Sequence, residues 1–110
     1  MQTPTGHGLD PRHFLPRVLF YPIPGGLMAV RRDAVTWVDL VQAQEGHRKG
    51  QARARDRWWR KAYREHSAKL ARIEAVMDTF APIMEANPTL GFEDACARMT
   101  RQSLKVVKEL

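Results

Sequence analysis

With 110 residues and a single cysteine, Cys96, the chain is the size of one domain and carries no internal disulfide, which favours a reducing, cytoplasmic setting. Its longest uncharged run, residues 18–30, holds two prolines and two glycines; a membrane-spanning helix needs about 20 apolar residues, and no basic-then-apolar secretory leader opens the sequence. The net charge of +6 is unevenly placed: between Arg48 and Arg72 ten Lys or Arg face only Asp56 and Glu65, a local net of +8, and the remainder sums to −2.

Residues 1–16, with three prolines, two glycines and two histidines, predict an arm without regular structure. Two short apolar stretches follow, Val18 to Tyr21 and Leu27 to Val30, joined by Pro22-Ile23-Pro24-Gly25-Gly26. This pattern predicts a β-hairpin over about 17–32, or else an extended arm packed on a partner. Phe20, Tyr21, Ile23, Leu27 and Met28 give it a large apolar payload, suited to covering a helical core or to docking on a larger protein. Asp33 offers an N-cap, and Ala34, Trp37, Val38 and Val41 recur at helical spacing, so helix one is expected over about 33–45. Gly46 and Gly50 bracket a polar stretch that reads as a loop or hinge.

Nothing between Gln51 and Ala81 breaks a helix, and the periodicity is strong. Trp59, Tyr63, His66, Leu70, Ile73, Met77, Phe80 and Met84 form one seam at alternating spacings of four and three. Arg53, Arg57, Arg60 and Arg64 fall on the opposite side of the same predicted helix. A helix over 51–81 would be about 46 Å long, against about 34 Å for the width of a compact domain of this size. Part of it should therefore project or pair with a second chain, and a homodimer through the seam is one way to do so. Pro82 should end or kink this helix. Asn87-Pro88 suits the start of a third, over about 90–109, with Phe92, Cys96, Met99, Ser103, Val106 and Leu110 as its seam. A helix-turn-helix over 92–110 is disfavoured by the shortness of the turn and the absence of glycine. The fold class expected is mainly α: three helices, the middle one long and amphipathic, behind an N-terminal hairpin or arm.

Chemistry finds little purchase in this sequence. His7, His13, His47 and His66 are scattered without metal-ligand spacing, and Cys96 lies on an apolar face as a small core side chain. The Gly-His-Arg-Lys-Gly stretch lacks the Lys-Ser/Thr of a phosphate loop. A non-enzyme without metal or cofactor is expected. The basic segment points instead to nucleic acid, DNA ahead of RNA, held by Arg53, Arg57, Arg60 and Arg64. Arg48, Lys49 and Lys61 would support them, and Trp58 would stack on an unpaired base. A basic stretch leading into heptads resembles the basic-region coiled-coil DNA binders in layout alone, since the seam holds Trp, His, Tyr and Met rather than a leucine ladder. The alternative is a protein-interaction subunit or inhibitor, of the size of mobile-element accessory proteins. There the arginines would meet an acidic protein, and the apolar hairpin would anchor it. Mere solvation of a polar helix face, or binding to an anionic membrane surface, explains a local +8 less well.

Overall fold

A computed structural model describes residues 15–99 of the chain. The expected N-terminal arm up to residue 14 and the second half of helix three lie outside them. The described part is mainly helical behind an antiparallel hairpin, as the sequence predicts. Strand β1 is Val18–Ile23 and β2 is Gly26–Arg31, paired from Val18 opposite Arg31 to Ile23 opposite Gly26. The connection is thus two residues, Pro24 and Gly25, rather than the five expected. Gly25 takes φ 91°, and proline followed by a positive-φ glycine is the signature of a tight turn. Alternation then sorts the hairpin. Leu19 and Tyr21 point into the core, whereas Phe20 and Leu27 point out.

Helix α1 is Trp37–Asp56, longer and later than expected. Its N-cap is Thr36, not Asp33, which lies in a single 3-10 turn over Arg32–Ala34. The Thr36 hydroxyl accepts from the Asp39 amide, and Asp39 accepts in return from the Thr36 amide at 3.0 Å, a reciprocal capping box. The inward face is Leu40, Ala43, His47 and Ala54. Val38 and Val41, expected on that face, are exposed.

Gly46 and Gly50 form no hinge; α1 runs through both. Each is a slot for a close neighbour. A Cβ on Gly46 would collide with the Pro22 carbonyl of β1, and one on Gly50 would meet the His66 imidazole at 2.6 Å. The glycines cost the helix about 1 kcal/mol each relative to alanine, and in exchange strand and helix approach the α1 backbone directly.

The break falls at 57–59, so the single helix expected over 51–81 is replaced by α1 and a second helix, α2, Arg60–Met84. The two run antiparallel as a helical hairpin, tied by Gln44 Nε2 to Glu74 Oε2 at 2.9 Å and Gln51 Nε2 to Ser67 Oγ at 2.9 Å. Pro82 is carried in the last turn of α2, which ends two residues later. Asn87 closes that end by donating from Nδ2 to the Ile83 carbonyl at 2.8 Å, rather than opening helix three. Helix α3 begins at 92 and is described to 99.

The core gathers Leu19 and Tyr21 from β1, Leu40 and Ala43 from α1, Ile73, Val76 and Phe80 from α2, and Phe92 from α3. The Phe80 and Phe92 rings meet at 4.9 Å between centroids, tilted by 57°. From Leu70 onwards the predicted seam of the long helix is therefore taken up within this chain, and a homodimer cannot use it. Its first members, Trp59 and Tyr63, are 51% and 38% exposed.

Candidate functional site

The turn between α1 and α2 is closed entirely by the main chain. The Trp58 amide donates to the Arg55 carbonyl at 3.2 Å and the Trp59 amide to the Ala54 carbonyl at 2.8 Å. This is the two-bond helix terminus whose hinge residue, with positive φ, is usually glycine. Here that residue is Trp58, at φ 60°. A side chain in the left-handed region costs about 1–2 kcal/mol, and the indole it carries is 81% exposed. The strain therefore stabilises no internal contact of that ring.

Two further departures from helix stability sit beside it. Helix α2 opens at Trp59 with no side-chain cap and no acid in its first turn. That first turn instead carries Arg60 and Lys61, whose charges oppose the helix dipole. Arg53, Arg55, Arg57, Arg60, Lys61 and Arg64 are all exposed around the same reversal. Asp56 is the one carboxylate in residues 53–64, and it pairs with Arg55 at 3.6 Å. The Arg57 guanidinium lies 5.2 Å from the centre of the Trp59 ring, a cation–π contact that braces Trp59. Next to it Trp59, Arg60, Lys61, Ala62 and Glu65 line an open depression of about 620 Å³.

The site residues expected from sequence are thus partly regrouped. Arg53, Arg57, Trp58, Arg60, Lys61 and Arg64 lie not as a stripe along one helix but on two helices and the 57–59 reversal between them, with Arg53 lining a groove against Pro22, Met28 and His66. Arg48 and Lys49 stand apart on the side of α1. Arg48 donates to Glu74 Oε2 at 2.7 Å, and Lys49 lies 3.0 Å from Glu45. Hydrogen bonds from Gln44 and then Arg48 hold the Glu74 carboxyl below its usual range. Arg55 and Trp59 join the tip, and sequence reasoning missed both by placing the helix break too early.

The apolar hairpin divides as well. Phe20, Leu27 and Met28 are 56%, 70% and 39% exposed and stay available to a partner. Ile23 is half-buried against the core. Tyr21 is fully buried and leaves the candidate partner face. Its hydroxyl lies 3.0 Å from Gln42 Oε1 and 3.3 Å from Asp39 Oδ1, donating to one of them at a time. Burial and then the Asp39 charge push the phenol up from its ordinary value.

Among the described histidines, His47 and His66 face each other across α1 and α2 with their Nδ1 atoms 3.0 Å apart. One ring donates and the other accepts, an arrangement that protonation of both would abolish. Burial, then His66 and Lys69, hold His47 down at about 4, partly offset by the Phe20 main chain. Its Nε2 is buried without a hydrogen-bond partner. Burial and then Lys69 lower His66 as well. Among the described residues no three His, Cys, Asp or Glu side chains converge as metal ligands would, and no helix is long and apolar enough to cross a membrane.

No protein-family model matches this chain, and no curated protein or solved structure shows significant similarity to it.

Proposed function

We propose that the tip of the helical hairpin binds nucleic acid through the phosphate backbone, as a binding protein without catalytic chemistry. The observation that carries this reading is the gathering of six cationic side chains around one three-residue reversal, with a single carboxylate among residues 53–64. Clustered guanidinium groups attract phosphates by charge and by counterion release, whatever the sequence. Helix α2 gives up an N-terminal acid and a cap where a solvated surface would have no reason to, and a polyanion bound at the tip would offset that loss. B-form DNA is favoured over duplex RNA, because its major groove is wide enough to admit a helical tip.

The test is fluorescence anisotropy with labelled duplex DNA, single-stranded DNA and RNA across a salt series. Binding should weaken steeply with salt, at up to about 0.9 in log affinity per log salt for each phosphate neutralised. Reversal of Arg57 and Arg60 to glutamate should abolish it with the helical signal unchanged. No binding to any of the three at low salt would sink the reading.

A second reading, an acidic protein partner, rests on Phe20 and Leu27, which hold apolar surface in solvent. Such a complex should survive moderate salt and fail on Phe20→Ala or Leu27→Ala.

A further inference from the structure

We propose that Trp58 is a base-stacking wedge that directs the tip to unpaired bases, at gaps, bulges or single strands, ahead of uninterrupted duplex. This rests on the nucleic-acid reading above and adds to it what the site selects. The two tryptophans at the tip differ in kind. Trp59 is half-exposed and braced by Arg57 at 5.2 Å. Trp58 is 81% exposed and held at the apex by two main-chain hydrogen bonds at φ 60°.

A large apolar ring carried out into solvent needs a flat apolar surface to leave water. Nucleic acid offers one only where a base face is uncovered, since in intact duplex each base is stacked on its neighbours. The surrounding charge fits the same partner. Arg57 and Arg60 flank the Trp58–Trp59 pair in the chain, and Asp56, the nearest carboxylate in sequence, is paired with Arg55. A phosphate on either side of an unpaired base would meet a cation, and the base would meet the indole. Because the turn fixes the Trp58 backbone before binding, only the torsions of the side chain remain to be ordered on contact.

The experiment compares four labelled oligonucleotides: a duplex, the same duplex with a single-base bulge, the same duplex with a two-nucleotide gap, and the single strand. Each is titrated with the wild-type chain and with Trp58→Ala, Trp58→Gly and Trp58→Phe. The wild-type chain should bind the bulged, gapped and single-stranded forms about tenfold more tightly than the duplex, the size expected for one stacked base. Trp58→Ala and Trp58→Gly should weaken binding to the bulged, gapped and single-stranded forms about tenfold more than binding to the duplex, removing the preference. Trp58→Phe should retain most of it. Trp58→Gly should also raise the melting temperature, because glycine relieves the left-handed strain. A loss of preference in a more stable protein cannot be put down to unfolding.

Equal affinity of the wild-type chain for all four, or an equal loss on all four in Trp58→Ala, would overturn the wedge and leave the phosphate reading standing. Failure to bind any of them at low salt would overturn both, and Trp58 would then belong to a protein interface.

Discussion

The two ends of the helical hairpin are built from the same helices and obey opposite rules. At the base, around Phe80 and Phe92, large side chains are buried, and nearby Thr36 and Asp39 complete a reciprocal cap. At the tip, a tryptophan occupies a glycine conformation, α2 starts without a side-chain cap, and cations crowd a helix N-terminus. Small proteins have little stability to spare, a margin of roughly 5–15 kcal/mol. Concessions worth about 1 kcal/mol each, made together at one place, mark that place as kept for something other than folding.

The contrast can be tested by mutation. Phe80→Ala should cost about 3–5 kcal/mol through the cavity it leaves, a loss visible in urea melts and large enough to threaten the fold. Trp58→Ala, deleting a larger ring, should stay within about 0.5 kcal/mol of wild type. A comparable cost for both would mean that the tip is part of the core. Gly46→Ala should cost about 3 kcal/mol, because its methyl group meets strand backbone that cannot swing aside. The same change at an exposed alanine-tolerant helix position would be stabilising, so thermal melting decides whether β1 seats directly on α1.

Acid should act between these sizes. His47 is held down at about 4 in the fold, below the ordinary value of 6.5. Its contribution is therefore complete above about pH 6.5 and is lost as pH falls from there towards 4, about 3 kcal/mol in all. Melting temperature followed by circular dichroism from pH 7.5 to 4.5 should fall over that window, and His47→Phe should flatten the profile. The smallest effect is expected at Arg60. Replacing a cation in the first turn of α2 with glutamate should stabilise the helix by about 0.3–1 kcal/mol, while weakening the proposed binding of nucleic acid. Destabilisation by Arg60→Glu would mean that the tip obeys the same rules as the base.

Much of the base could be read from the residues. The hairpin, the seam from Leu70 to Met84 and the end of α2 near Pro82 follow from alternation, heptad spacing and a missing amide. The tip could not, because the chain turns there with no Gly, Pro or Asn to mark it. Punctuation stood instead at Gly46 and Gly50, where glycine serves close packing rather than a turn. A quieter signal was present in the phase of the helices. Leu40, Ala43, His47, Gly50 and Ala54 step by three and four, and the same rhythm continues onto Arg57, Lys61 and Arg64. The downstream seam, from Trp59 and Tyr63, is out of step with it. A core stripe that would run into arginines must stop. That stop was masked because the α1 stripe is made of small residues and a histidine, which carry little hydrophobic contrast.

The closure of the tip by main-chain bonds alone has a consequence for how this protein can change. The hydrogen bonds that shut the turn are main-chain ones, and the side-chain contacts of 55–57, Arg55 with Asp56 and Arg57 with Trp59, stay within the tip. These four positions form a cassette in which substitutions drift without endangering the scaffold beneath. Ligand preference can then be rewritten one residue at a time, while the hairpin and its core keep the tip at a fixed address. Lineages carrying this fold should vary at 55–58 while holding Gly46, Gly50 and Phe80 constant. Grafting the four residues of one lineage onto another should carry the preference with them.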